Sequence, residues 1–297
     1  MSPLAPPIRV SLQNILLPTD FSSFSETALA YGIALCRRYD TTLYTVTVVP
    51  EEITDYVQPP DPFYLRHAAE KKMAQLAELK LFQGIKHREW VKEGFVSDVL
   101  ADLIDKLEID LVVLGTHGRG GIKRLVLGSV AEGVIESASC PVLTVGPRVS
   151  PKSGAELELR EILCATDLLH ASTRALTYAV WLAEQEHAHL TLLHVLKVPT
   201  DAPLGYAESE REMAMKRLMQ LLPPETTDSV EAKFIVEIGV PGEQILKVAE
   251  VRSADLIVMG PHHTSYAQLS TRLPWIIPHQ VLCHASCPVL TVRELKF

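Results

Sequence analysis

Short apolar runs alternate with amphipathic helical patterns along the whole chain. The runs span four to seven residues and are rich in valine, isoleucine and leucine, and the segments between them repeat apolar residues at helical spacing. This alternation is typical of βαβ units built around a parallel sheet. It predicts strands at residues 15–18, 43–49, 86–92, 111–114 and 142–145, and again at 162–165, 190–196, 233–237, 256–259 and 289–292. The segment 86–92 is more polar than the others, which predicts a strand at a sheet edge.

The second half of the chain repeats the first. Three segments recur in the same order, and the middle one differs in offset by only two residues: ILLPTD at 15–20 as ILCATD at 162–167, DLVVLG at 110–115 as DLIVMG at 255–260, and SCPVLTV at 139–145 unchanged at 286–292. A repeat of this length indicates duplication of a domain. We therefore predict two domains, residues 1–148 and 158–297, joined by a linker that is rich in proline, serine and glycine.

Composition narrows the class of protein. The 297 residues include 28 basic and 36 acidic side chains, which give a net charge of -8 and make nucleic acid or an anionic membrane a poor partner. No apolar run approaches the roughly 18–20 residues that span a bilayer. The cysteines number five, are scattered, and suit reduced thiols better than a disulfide framework. We expect a cytoplasmic protein.

A glycine-rich loop follows the fourth predicted strand. It begins Gly115-Thr-His-Gly118 and reaches Gly128-Ser129 after nine further residues. Glycines supply positive φ or close backbone approach, so their N–H groups can face an anion, and a helix N-terminus favours negative charge. The loop therefore predicts a phosphate site, with a flexible surface turn as the alternative.

Other residues of this loop have two alternative roles each. Ser129 can donate its hydroxyl to a phosphate or cap the following helix, and Val130 would add a backbone N–H. His117 and Arg119 bring positive charge towards a phosphate, although exposed loop side chains are the ordinary outcome for both. Three positive charges lie in this loop of an acidic chain, at Arg119, Lys123 and Arg124, and they fit charge compensation for a triphosphate, while a solvated basic loop is the ordinary outcome for at least one of them.

The duplicated pattern and the loop together resemble the universal stress protein family, as a tandem two-domain member. The match of the loop to the family motif, Gly-x2-Gly-x9-Gly-Ser/Thr, is complete in the first copy. The resemblance implies an α/β fold with two doubly wound parallel five-stranded sheets of the adenine nucleotide alpha hydrolase type, strand order 3-2-1-4-5. It also implies ATP, with or without Mg²⁺, between the first and fourth strands. Pairing of the two domains as a pseudo-dimer follows from the same resemblance, which leaves room for a homodimer.

The resemblance also assigns residues outside the loop. Asp20, at the end of the first strand, matches the family aspartate that meets the nucleoside, although an Asx-turn into the first helix is its alternative role. Pro18 would form a wall of the pocket. Val48 matches the position whose backbone meets adenine. Together with the loop, the expected nucleotide-binding set is Pro18, Asp20, Val48, Gly115, His117, Gly118, Arg119, Gly128, Ser129 and Val130.

The second copy departs from this motif. Gly260 is kept, but His263 replaces the second glycine, and the Gly-Ser pair is absent from residues 264–278. Prolines at 274 and 278 remove N–H donors. We predict that the second domain does not bind ATP and either serves as an intramolecular partner or takes another small metabolite.

Catalytic and metal sites have weaker support. The chain has no GxxxxGK[ST] or GxSxG element and no nucleophile beside an assigned base, so at most slow ATP hydrolysis is expected. Histidines and cysteines near the C-terminus suggest zinc, but they form no compact CxxC or HxxxH pair. We predict no metal site from the set His262, His263, His279, Cys283, His284 and Cys287.

Overall fold

The chain divides into two units that have the same order of strands and helices. The computed structural model describes residues 10–50, 62–116, 127–150, 157–169, 172–199, 201–223, 226, 229–260 and 276–293. One unit comprises Leu12–Leu157, and the other consists mainly of Glu158–Phe297. None of the helices in this described part of the chain is both long enough and apolar enough to cross a bilayer.

Strands and helices alternate in the first unit, as the apolar pattern predicts. Its strands are β1 (Asn14–Pro18), β2 (Thr42–Val49), β3 (Lys86–Glu93), β4 (Leu111–Gly115) and β5 (Val142–Val145). Its helices are α1 (Ser23–Tyr39), α2 (Pro62–Ala77), α3 (Val96–Lys106) and α4 (Ser129–Ser137), with a 3₁₀ turn at Lys80–Phe82.

The second unit repeats this series. Its strands are β6 (Glu161–Ala165), β7 (His189–Leu196), β8 (Ala232–Ile238), β9 (Leu256–Met259) and β10 (Val289–Thr291). Its helices are α5 (Thr173–Glu186), α6 (Tyr206–Met219), α7 (Pro241–Val251) and α8 (Ile276–His284).

All neighbouring strands within each unit are parallel. The order is β3-β2-β1-β4-β5 in the first unit and, equivalently, β8-β7-β6-β9-β10 in the second. This confirms the predicted order 3-2-1-4-5. Because crossovers are right-handed, the reversal of direction after the third strand puts the first two helices and the last two on opposite faces. Both faces of the central strands are therefore covered, which explains their uninterrupted apolar sequences.

The hydrophobic core lies along the central strands. The largest side chains with less than 2% exposure come mainly from the first two strands of each unit: Ile15, Leu16, Leu17, Leu43, Ile162, Leu163, Leu190, Leu192 and Leu193. In contrast, β3 contains only half-buried and exposed residues, as predicted for a polar strand at the edge of the order. The central strands are therefore apolar because both of their faces are buried, whereas the edge strand is more polar because it is less buried.

The spacing of Ser23 and Glu26 predicts a capping box at the start of α1, and the structure differs from this prediction by one residue. Ser22, and not Ser23, is the N-cap, with φ −83° and ψ 161°. Its hydroxyl accepts the Ser25 N–H at 3.3 Å. The capping-box assignment to Ser23 and Glu26 is therefore wrong, because the turn before the helix leaves Ser22 as the last residue with extended backbone.

A carboxylate holds the first strand of each unit at its amino end. Asp110 Oδ2 accepts the backbone N–H groups of Gln13 at 2.8 Å and Asn14 at 2.9 Å. In the second unit, Asp255 Oδ2 accepts those of residues 160 and 161 at 2.9 and 3.2 Å. The aspartate of the repeated DLVVLG and DLIVMG segments thus has a structural role in both copies.

Replacing Asp110 with alanine is expected to destabilise the first unit by about 1–3 kcal/mol, because two backbone donors lose a charged acceptor. The free energy of unfolding can be followed by Trp90 fluorescence, with the other tryptophans replaced by phenylalanine. Asp110→Asn, which keeps one carbonyl oxygen, should recover part of the loss. Equal stability of Asp110→Ala and the parent protein would show that water replaces this carboxylate without cost.

Candidate functional site

The switch point of the first unit lies between β1 and β4. The chain leaves β1 towards β2 on one side and returns to β4 on the other, and ligands of open parallel sheets bind outside the carboxyl ends of the strands at such a point. Pro18 ends β1 in register with Val46, Val48 lies two residues further along β2, and Gly115 ends β4. The fold thus brings these predicted residues to one edge of the sheet.

Asp20 forms a tight turn at this edge. Its Oδ1 accepts the Ser22 N–H at 3.0 Å, and Thr19 Oγ1 accepts the N–H of Phe21 at 3.1 Å. Phe21 has a φ of 61°, a left-handed conformation that is costly for a side chain of this size. The Asx-turn that the sequence offered as the alternative role of Asp20 is therefore present, and the half-buried carboxylate still lies at the switch point.

The second unit contains the same turn. Asp167 Oδ1 accepts the Leu169 N–H at 2.9 Å, Thr166 Oγ1 accepts the Leu168 N–H at 3.1 Å, and Leu168 has a φ of 62°. The Thr-Asp pair is thus a structural element of both copies. Its presence alone does not distinguish a unit that binds a ligand from one that does not.

Gly115 is required by packing. A Cβ at this position would lie 2.9 Å from both the carbonyl carbon and the carbonyl oxygen of Phe24, in the first turn of α1. Among the described glycines, neither Gly115 nor Gly128 has a positive φ. Gly115 therefore provides close backbone approach, but the backbone that approaches it belongs to Phe24. Phosphate contact is not needed to explain this glycine, and Gly260 keeps the same position in the second copy.

Gly128 is the N-cap of α4, with φ −66° and ψ 142°. Its N–H donates to the carbonyl oxygen of the buried Thr116 at 2.8 Å. This bond joins the two ends of the intervening loop. The expectation that the Gly128 N–H faces a phosphate is wrong, because that donor is already engaged.

The first turn of α4 offers other donors. The first hydrogen bond within the helix runs from the Glu132 N–H to the Gly128 carbonyl oxygen at 2.9 Å. The N–H groups of residues 129–131 therefore have no carbonyl partner within the helix. The N-cap residue Gly128 brings no side chain to this end, and Ser129 and Val130 are exposed. The partial positive charge of the helix terminus adds to these donors. The arrangement can bind an anion through backbone N–H groups and the Ser129 hydroxyl.

Three of the predicted residues, His117, Gly118 and Arg119, lie outside the described residues, as do Lys123 and Arg124. Their assignment to phosphate stays a prediction.

The second unit has a different helix start at the corresponding place. Pro278 is the third residue of α8, so the first turn of this helix lacks one N–H donor that α4 has. The residues between Gly260 and Ile276 lie outside the described part of the chain. The missing donor agrees with a weaker anion site in this unit.

Sequence reasoning missed His194, which lies near the carboxyl end of β7. By the repeat offset it replaces Thr47 of the first unit. Its Nδ1 donates to the carbonyl oxygen of Thr166 at 2.8 Å, which assigns the proton to Nδ1 because a carbonyl only accepts. This contact further holds the Asp167 turn, and the 147-residue register was the signal that would have found it.

The described residues contain no group of three or more histidine, cysteine, aspartate or glutamate side chains arranged to hold a metal ion. Cys283 Sγ lies 3.9 Å from His279 Nδ1, one helical turn away. All five cysteines are buried and free of disulfides. Burial raises the pKa of Cys36 to about 11 and that of Cys164 to about 12, so these two remain neutral thiols near pH 7.

Comparison with known proteins agrees with this architecture. The sequence matches the universal stress protein family twice, over residues 11–146 and 158–293. A universal stress protein of Methanocaldococcus jannaschii is 30% identical over 140 residues, which is 45% of this chain and 81% of that protein. The crystal structure of a universal stress protein from Archaeoglobus fulgidus superposes with a TM-score of 0.71 at 21% identity, covering 95% of this chain and 96% of that one.

A crystal structure of a putative universal stress protein from Pseudomonas aeruginosa has a TM-score of 0.60 at 16% identity, covering 95% of this chain and 93% of that one. These two structural likenesses concern the fold. The family match covers most of both units, and the chain therefore belongs to the universal stress protein family.

Proposed function

We propose that this chain is an ATP-binding protein with a nucleotide-sensing or stress-response regulatory role, and that its first unit holds the nucleotide. The observation that carries the proposal is the N-terminus of α4. Its N-cap is a glycine, it presents Ser129 and Val130 to solvent, and it follows a motif that matches the nucleotide-binding pattern of the family. Its place beside the switch point of the sheet supports the same proposal.

The roles of the residues follow from their positions. The phosphates bind the N–H groups of the first turn of α4 and the Ser129 hydroxyl, and the adenosine lies towards the carboxyl ends of β1 and β2. Pro18 forms a wall, Asp20 contacts the nucleoside, and the Val48 backbone meets adenine. The remaining members of the proposed set belong to the loop around the phosphates: Gly115, His117, Gly118, Arg119 and Gly128. Of these, Gly115 and Gly128 shape the loop, through packing on Phe24 and the hydrogen bond to Thr116, and His117, Gly118 and Arg119 are proposed to contact the phosphates.

ATP is proposed with or without Mg²⁺. The phosphate oxygens would supply ligands for such an ion, as they do wherever Mg²⁺ accompanies a nucleotide. The chain's own contribution is the positive end of α4, which offsets phosphate charge without a metal.

The second unit is proposed to be a partner of the first within the chain, without ATP. Pro278 in the first turn of α8 supports the loss of an anion site. We also propose a cytoplasmic location, which the odd number of cysteines and their burial as free thiols support. The role of the second unit and the cytoplasmic location are independent of ATP binding by the first unit.

Calorimetric titration of nucleotide-free protein with ATP tests the function. We expect saturable binding of ATP near one equivalent per chain, with little release of ADP. Absence of saturable binding up to about 1 mM, with and without Mg²⁺, would end the proposal. Sustained release of ADP over many turnovers would instead assign a hydrolase.

A further inference from the structure

The amino end of the second unit contains a histidine between two carboxylates. His189 Nδ1 lies 2.8 Å from Glu161 Oε1, and its Nε2 lies 3.2 Å from Glu231 Oε2. Arg252 Nη2 lies 3.1 Å from the other oxygen of Glu161. These four residues are referred to below as the Glu161 cluster.

The cluster connects several elements. Glu161 is the first residue of β6, His189 is the first residue of β7 and its partner in the parallel register, and Glu231 precedes β8. Arg252 is the C-cap of α7. One cluster thus joins the starts of three adjacent strands to the end of a helix. It lies at the edge of the sheet opposite to the carboxyl ends of the strands.

Donation to both carboxylates requires a charged ring. A neutral imidazole has one N–H and therefore donates to one of two carboxylates, whereas the imidazolium donates to both. When the ring loses its proton, one carboxylate faces a nitrogen lone pair. Both carboxylates then also lose the positive charge that lies between them, and Arg252 alone opposes the charge of Glu161.

Some of the groups that face the His189 ring raise its pKa and others lower it. The hydrogen bond to Glu161 is the largest cause that raises the pKa of His189 above its ordinary value, and the charge of Glu231 adds to it. Partial burial and Arg252 oppose the rise. Because the folded pKa is raised, the stabilisation is fully present below the ordinary histidine pKa of about 6.5 and is lost as pH rises through the folded pKa.

The first unit has no such cluster at the same positions. The repeat offsets place Asn14, Thr42, Lys86 and Leu107 where the second unit has Glu161, His189, Glu231 and Arg252. Asn14 Nδ2 donates to the Leu107 carbonyl oxygen at 3.1 Å, a contact that does not titrate. Its own histidine–carboxylate pair, His87 with Glu89, lies within the single strand β3 and joins no two strands, so the first unit serves as an internal control within the same chain.

We propose that the Glu161 cluster is a proton-controlled clamp, which holds the starts of β6, β7 and β8 together while His189 is protonated and loosens them when His189 becomes neutral. The clamp makes the second unit sensitive to alkaline pH and leaves the first unit unaffected. It does not depend on nucleotide binding.

Hydrogen exchange of equivalent backbone amides in the full chain tests the clamp. The N–H of Leu190 donates to the Glu231 carbonyl oxygen at 3.0 Å and reports on the cluster, while Leu43 is its counterpart in the first unit. After correction for intrinsic exchange, raising the pH from about 5.5 to about 9 should lower the protection of Leu190 relative to Leu43 by roughly two- to fivefold. This modest size reflects the 49% exposure of His189.

Two variants separate the clamp from ordinary packing. His189→Gln should remove the pH dependence of the Leu190 to Leu43 ratio. Glu231→Gln should lower the pKa of His189 measured by NMR titration of its ring, and it leaves His189 and Glu161 in place should the first variant fail to fold. A ratio that stays constant with pH in the parent protein, or a His189 pKa at or below about 6.5, would overturn the proposal.

Discussion

Replacing Ser129 with proline is expected to lower the ATP affinity of the chain at least about tenfold while the first unit stays folded. The substitution removes a backbone N–H and a hydroxyl from the proposed phosphate site, and hydrogen bonds to charged groups are worth about 1.5–3 kcal/mol each. Proline is favoured at the first position of a helix. Gly128 already has φ −66° and ψ 142°, which suits the residue before proline. Titration calorimetry on the parent and variant proteins measures the difference.

Ser129→Ala is the matched control for this variant. It removes the hydroxyl and keeps the backbone N–H, so its ATP affinity should lie between that of the parent and that of Ser129→Pro. A folded Ser129→Pro protein that binds ATP as tightly as the parent would show that the phosphates do not use the N-terminus of α4.

Replacing Gly115 with alanine is expected to destabilise the first unit by about 1–3 kcal/mol. The added Cβ would lie 2.9 Å from the carbonyl carbon and oxygen of Phe24. Backbone atoms cannot rotate away as a side chain does, so either the end of β4 or the start of α1 must move. The free energy of unfolding of the first unit, from chemical denaturation followed by Trp90 fluorescence, measures the cost.

Gly133→Ala in α4 is the control for a glycine without such a contact. Apart from its own helical backbone, no heavy atom of the described residues would lie within 4 Å of a Cβ at position 133, and alanine is favoured over glycine in a helix. The variant should therefore be more stable by about 0.5–1 kcal/mol. If Gly115→Ala were instead as stable as the parent protein, the packing explanation for Gly115 would fail.

The elements and their order could be predicted from the sequence. Parallel strands that are buried on both faces require continuous apolar runs, and Leu111–Leu114 and Ile162–Cys164 are such runs. The duplication supplied a second copy of each signal. The cap of α1 was misplaced because Ser22, Ser23 and Ser25 all suit a helix start, and the left-handed Phe21 decides which serine has the extended backbone.

The candidate site was less predictable, because its glycines have neighbours that only the fold reveals. The closeness of Phe24 to Gly115 depends on how α1 packs on β4, and the Gly128 N–H is engaged by a residue at the other end of the loop. Neither contact is visible in the spacing of a motif. The sequence nevertheless placed Ser129 and Val130 at a helix start, which the structure has in the predicted place.

The Glu161 cluster escaped prediction for a related reason. His189 and Arg252 are 28 and 91 residues from Glu161 along the chain, and only the parallel register brings them together. Aligning the two copies would have identified the positions, since Asn14 and Thr42 occupy them in the first unit. The alignment would not have shown the ion pairs that connect these positions in the second unit.

Native mass spectrometry of the purified chain tests the central claim most directly, because it counts bound nucleotides without assuming which unit holds them. We expect one adenine nucleotide per chain, present on purification or after addition of ATP, and its loss from Ser129→Pro. Two nucleotides per chain would contradict the assignment to the first unit alone. No bound nucleotide under either condition would contradict the proposed function itself.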